Sequence, residues 1–232
     1  MQVFKAEERG MTNIGWLKSY HSFSFGDYYD RNRMHFNRLR VINDDYVGGG
    51  AGFPMHPHKN MEIITYVMTG ALEHSDSLGN GSVIRPGELQ VMAAGSGIQH
   101  SEWNHSETEE VHLLQIWLFP DFQDVEPGYQ QAELDTESVQ LGFALAAGPI
   151  GSNAPFKINT AALLYISWAA EGQILTREGN GEIESYLHIA SGKAVVNGVE
   201  LGAGDAIGLS DGEDLHVECV LESQILLFEM AK

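Results

Sequence analysis

A single cysteine, Cys219, in 232 residues excludes an internal disulfide framework and argues against a thiolate metal site. It stands in the alternating run 215–220 and reads as a small buried hydrophobe. Basic residues are scarce: 13 Lys and Arg stand against 32 Asp and Glu, a formal net charge of -19. A surface of that sign repels phosphate backbones and anionic lipid, so no direct contact with nucleic acid or membrane is expected. No run of about eighteen apolar residues is present, and residues 1–18 are interrupted by Lys5, Glu7, Glu8 and Arg9 where a secretory signal would be apolar. A cytoplasmic protein is expected. Helical periodicity is also hard to find.

What the chain does have is 26 glycines and short apolar segments rich in Val, Ile, Leu and Tyr, broken at close intervals by Gly, Asn, Asp or Pro. This is an all-β pattern. Strands are predicted over 38–42, 62–68, 71–76, 81–84, 89–92, 99–104 and 111–118, with Ser77-Leu78-Gly79-Asn80 turning between the third and the fourth. Asp44-Asp45 also reads as a turn. Residues 120–131 are acidic and polar and read as a connector, and a short helix is predicted over 130–138. The order of signals then repeats at an offset of roughly 120 residues. Tyr66 to Gly70 and Pro86-Gly87-Glu88 have counterparts in Tyr186 to Gly192 and Ala203-Gly204-Asp205. The chain is long enough for two cores, and two domains are expected, over 1–125 and 126–232. The second copy offers only isolated His188 and His216.

The chemistry concentrates in residues 50–102. His56-Pro57-His58 and His100-Ser101-Glu102 are two alternating pairs, and in extended backbone each pair turns its side chains to one face. Positions 56 and 58 then lie roughly 6–7 Å apart, a gap two imidazoles can close on one ion at ~2.1 Å. Pro57 has no N–H to give a neighbouring strand, which places this segment at a rim or edge. Ala94, Gly95 and Gly97 form a small-residue turn that lets the second pair approach the first. Three imidazoles and one carboxylate suit a divalent transition metal, with coordination positions left over for chemistry. His74, His105 and His112 read as hydrogen-bonded side chains rather than ligands. Trp16, Phe23, Phe25 and Phe53 read as core, with a roof over an aromatic substrate as the alternative.

The spacing of Gly50, His56, His58, Glu62 and Gly70 resembles the first cupin motif, and the run from Gly87 through His100 to Asn104 resembles a respaced second one. Gly15-Trp16-Leu17, the run from His21 to Phe25, the run from Leu39 to Asp45, the run from Ala94 to Glu102 and Leu114-Gln115-Ile116-Trp117 are similar to the pirin family, a bicupin branch. The resemblance implies two cupin-type β-barrel (jelly-roll) domains with metal only in the N-terminal one. It also implies a ligand set of His56, His58, His100 and Glu102, with Glu62 behind the ligands rather than among them. Pirin-like proteins are associated with quercetin 2,3-dioxygenase activity. The implied reaction opens the ring of a flavonol, with a small aromatic substrate and dioxygen as partners and Glu102 as both ligand and proton acceptor. The resemblance favours Fe(II), with Mn, Co, Ni, Cu or Zn as rivals. A different class stands beside it: a non-enzymatic, metal-dependent regulatory protein acting through a protein partner. A sugar-isomerase-like cupin has no support in these segments.

Overall fold

The structure is a computed structural model that describes residues 1–210 and 212–232. The chain divides into two compact units, one of residues 9–134 with 158–160, the other of residues 1–8, 135–157 and 161–232.

The unit around residues 9–134 is a jelly-roll sandwich. Its larger sheet runs in the spatial order Gly128–Glu133, Glu88–Ala93, Glu62–Thr69, Val111–Leu118, Leu39–Val47, Leu17–His21, Gly10–Asn13, antiparallel throughout. The smaller runs Gly52–His58, Ile98–Asn104, Leu72–Asp76, Gly81–Ile84. Period-two alternation puts Leu17, Val47, Val67, Val111 and Leu113 of the first sheet against Leu72 and Ile84 of the second, all buried. Each such side chain contributes about 1.5–3 kcal/mol by leaving water. The expected barrel is therefore realised as two facing sheets that stay open. The outer strand of the smaller sheet is Gly52–His58, where Pro54 and Pro57 have no N–H to recruit a further strand.

The predicted strands all form, with 81–84 and 111–118 at their predicted bounds. Asp76 Oδ1 accepts from the Leu78 and Asn80 amides and fixes the predicted turn. Three expectations are corrected. Asp44 and Asp45 lie inside the Leu39–Val47 strand rather than in a turn, because partners distant in sequence hold them there. The supposed connector, 120–131, runs into the Gly128–Glu133 strand, paired along its length with Glu88–Ala93. The helix therefore starts later than predicted, at Thr136–Leu141, where the Asp135 carboxylate caps it by accepting from the Ser138 amide at 3.4 Å.

The second unit has the same layering. Gln2–Phe4, Ala206–Leu209, Ile183–Ser191, Ser223–Ala231, Ala162–Ala169 and Ala144–Pro149 lie side by side in its larger sheet. Ile174–Arg177, Leu215–Cys219, Lys193–Val196 and Val199–Gly202 make the smaller one. Leu187, Ile189, Ile225 and Leu227 meet Leu175, Val196, Leu201 and Val217 between them.

Candidate metal centre

Two neighbouring strands carry the donors. In the pairing of Gly52–His58 with Ile98–Asn104, His100 lies opposite His56 and Ile98 opposite His58. The register shifts between His100 and Glu102, so Glu102 faces Phe53. Residues 98, 100, 102 and 104 all turn inward and are buried. The strands can come this close because Gly52 has no side chain: a Cβ there would collide with the Glu102 carbonyl oxygen.

One ring nitrogen from each of His56, His58 and His100 lies within 4.8 Å of the other two. Nitrogens bound to one ion at ~2.1 Å lie no more than about 4.2 Å apart, so a small inward rotation suffices. His56 Nδ1 donates to the Pro54 carbonyl at 2.8 Å, which leaves Nε2 with its lone pair free for a cation. Neither ring nitrogen of His100 has a protein partner. Burial drives the His58 pKa down to about 4, and the charge of His56 adds to the effect. Burial, then His56, His58 and His74, bring His100 to about 2. Both shifts favour neutral imidazole at His58 and His100, the form that ligates.

Glu102 stands beside the triad, outside the tight group. Its Oε2 is 4.0 Å from His100 Nε2 and accepts from Gln115 Nε2 at 2.8 Å, while Oε1 has no protein donor. Gln115 Oε1 in turn accepts from the Trp117 indole N–H at 2.8 Å. Burial raises the Glu102 carboxyl to about 7 against the pull of the Gln115 bond, and the Asp45 charge adds to the rise. A bound cation would reverse that order and hold the carboxylate ionised.

Other residues separate cleanly. Glu62 is held elsewhere, its two oxygens accepting from the Asn159 side chain at 3.1 Å and the Asn159 amide at 3.2 Å. His105 faces Glu73 at 3.5 Å, and His112 stacks on Tyr46 and bonds Asp44 at 2.7 Å. His74 was expected to be a hydrogen-bonded bystander. Instead it is buried with neither ring nitrogen partnered, its centroid 5.3 Å from that of His100 and 4.8 Å from that of Tyr129. Of the aromatic residues, Phe23 is core at 1% exposure. Phe53 packs against His56 and Trp16, and Phe25 lies edge-on to Trp117, whose ring is perpendicular to that of His58. The side chains that border the triad on this flank are therefore aromatic.

Residues 3–118 match the family described as Pirin, and residues 145–230 match the quercetinase C-terminal cupin domain. A quercetin 2,3-dioxygenase of Escherichia coli is 41% identical, over 97% of this chain and 96% of that protein. A putative quercetin 2,3-dioxygenase of Mycobacterium bovis is 40% identical, over 99% and 95%. The crystal structure of the bacterial pirin YhhW from Escherichia coli in complex with nickel(II) superposes with a TM-score of 0.93 at 39% identity, covering 99% of this chain and 98% of that one. Identity of this order along the whole length, with the same fold and a three-histidine cluster on the edge and neighbouring strands, makes the chain a member of the pirin family.

Proposed function

We propose that the protein is a metal-dependent dioxygenase that opens the ring of flavonols such as quercetin. The observation that carries this reading is the cluster of three imidazoles with a buried, partly unpartnered carboxylate beside it, Glu102 Oε1 and both His100 nitrogens having no protein partner. Such a set of orphaned donors is what a cation would satisfy. In this reading His56, His58, His100 and Glu102 hold one divalent transition metal. The family resemblance favours Fe(II), while the Escherichia coli relative is a nickel(II) complex. When bound, the ion supplies Lewis-acid polarisation of a substrate oxygen and a template beside dioxygen.

The chain's own residues do the remainder. The Gln115 amide fixes one oxygen of Glu102, so the other is free to accept the proton of the flavonol 3-hydroxyl. Phe25, Phe53 and Trp117 give a flat substrate apolar surface next to the ligands. The flavonol takes up both atoms of dioxygen, its central ring opens and carbon monoxide leaves. We place the protein in the cytoplasm, since its one cysteine is free and buried. No helix among the described residues is long and apolar enough to cross a membrane.

The test is flavonol consumption under oxygen by metal-reconstituted protein, beside the His56→Ala and Glu102→Gln variants. Wild-type turnover is expected, with both variants lowered by roughly a hundredfold or more. Untouched flavonol in the wild-type reaction sinks the assignment. Elemental analysis of protein purified without added metal identifies the resident ion.

A further inference from the structure

A tryptophan stands two hydrogen bonds away from the carboxylate beside the histidine cluster. Gln115 and Trp117 alternate on the Val111–Leu118 strand and so turn their side chains to one face. The Trp117 indole N–H donates to Gln115 Oε1 at 2.8 Å, and Gln115 Nε2 donates to Glu102 Oε2 at the same distance. Among the described residues the Gln115 side chain makes no other hydrogen bond.

A glutamine amide has a donating and an accepting end of nearly the same shape, so packing alone does not choose which end faces Glu102. An indole N–H only donates, and it therefore selects the oxygen end. The nitrogen end is left for the carboxylate. Without the indole donor the amide is free to turn its carbonyl toward Glu102, where two acceptors meet with no hydrogen between them. Both Gln115 and Glu102 are buried, so water is a poor substitute for the lost bond. The donor itself is firmly seated. Trp117 packs against the cluster of Ile63, Met92, Ala94 and Ile98, and its ring stands perpendicular to that of His58 at a centroid separation of 4.9 Å, with Phe25 edge-on at 5.0 Å. A donor held by packing is aimed before any ligand arrives.

We infer that Trp117 is a positioning residue for Glu102: through Gln115 its N–H holds the carboxylate in place to complete the ligand set of the three histidines. The inference rests on the reading of Glu102 as a metal ligand and deepens it. It also separates two roles of one side chain, since the Trp117 ring borders the triad while its N–H orients the carboxylate.

The experiment is a double-mutant cycle on nickel(II) affinity, measured by competition with a chelator in wild type, Trp117→Phe, Gln115→Leu and the double variant. Each single variant is expected to bind nickel(II) about tenfold more weakly, the low end of what loss of a partner behind a ligand costs. The double variant is expected to bind within about twofold of Gln115→Leu, because with the amide gone the N–H has nothing to orient. A loss of about a hundredfold in the double variant, the product of two independent effects, overturns the inference, as does Trp117→Phe that binds like wild type. Should Trp117→Phe fail to fold by circular dichroism, biosynthetic replacement of tryptophan by its benzothienyl analogue, which keeps the ring shape and puts sulfur in place of the N–H, runs the same cycle. An equal loss on the wild-type and Gln115→Leu backgrounds then overturns it. In quercetin turnover at saturating nickel(II), Trp117→Phe is expected to lower kcat about tenfold and to leave KM within about twofold. A raised KM at unchanged kcat would assign Trp117 to the substrate wall alone and refute the orienting role. The affinity cycle needs no turnover, so the two readings fail separately. A coupled cycle in protein that leaves flavonols untouched keeps the role of Trp117 and removes the dioxygenase; flavonol turnover with an additive cycle removes that role and leaves the dioxygenase.

Discussion

Asp45 offers a quantitative test of the buried polar layer behind the metal centre. Burial raises its carboxyl from 3.8 to about 7, the Asp44 charge adds to the rise, and the Ser19 hydrogen bond and His112 charge oppose it. Because the folded value lies above the unfolded one, the native state holds a proton that the unfolded chain has released between those two pH values. Stability is therefore fully present below about pH 4 and is lost as pH rises toward 7. A rise from 3.8 to about 7 corresponds to on the order of 4 kcal/mol, of which about 3 kcal/mol falls between pH 5 and 8. Asp45→Asn removes the titration without changing the shape. Urea unfolding of metal-free wild type and variant at both pH values isolates the effect, since the other titrations largely cancel in the difference. The variant is expected to gain about 3 kcal/mol on wild type between pH 5 and 8, at unchanged m-value. A difference that moves by less than about 1 kcal/mol would refute the assignment of burial as the dominant cause.

Two further outcomes follow from single contacts. Gln115→Leu leaves Glu102 without its donor and the Trp117 indole without its acceptor, so the metal-free protein is expected to lose about 1.5–3 kcal/mol in urea unfolding at pH 8 and less at pH 5, where Glu102 is protonated and the Trp117 loss remains. Gly95→Val places a side chain at φ 48 and against the Val125 carbonyl oxygen, with an expected cost of about 1–3 kcal/mol by thermal unfolding and weakened nickel(II) binding in competition with a chelator.

The parts of the architecture legible in the sequence were those encoded locally. Short runs rich in Ile, Val, Leu and Tyr marked Glu62–Thr69 and Val111–Leu118, alternation marked Ile98–Asn104, and Pro57 marked its strand as an edge, which it is. His56, His58 and His100 were legible for the same reason: two of them share one alternating pair, and the third heads another. What stayed hidden depends on partners far along the chain. Asp44-Asp45 has the composition of a turn, yet Arg9 bonds Asp44 at 2.8 Å from thirty-five residues away and His112 bonds it at 2.7 Å from sixty-eight. Burial would raise the Asp44 carboxyl, but those two bonds outweigh it and hold it below its ordinary value, so a strand interior can keep it. Gly128–Glu133 hid behind polar residues. The alternation of Tyr129 and Gln131, joined by a 2.7 Å hydrogen bond on one face, was the available signal. His74 could be placed beside His100 only through the register that pairs it with Glu102.

The second unit shows why, among the described residues, the histidine cluster occurs once although the sheet order occurs twice. In the first unit the end of the outer strand pairs with the start of its neighbour, His58 with Ile98 and His56 with His100. The corresponding pairs in the second unit are Arg177 with Leu215 and Leu175 with Val217. Where two imidazoles face each other, an isobutyl and an isopropyl group do so instead, at 4% and 0% exposure, and both join the core between the sheets. Two residues beyond Val217, at the place of Glu102, stands Cys219, whose thiol burial pushes above its ordinary value and so keeps protonated. Arg177, at the position of His58, is committed to Glu229 through two hydrogen bonds of 2.5 and 2.7 Å and lies over the Tyr165 ring. A cation there would meet a guanidinium, two hydrocarbon side chains and a neutral thiol, none of which donates a lone pair to it at neutral pH. The second unit thus keeps the sheet order and fills these inward positions with Leu175, Val217 and Cys219, which join its core instead of offering donors.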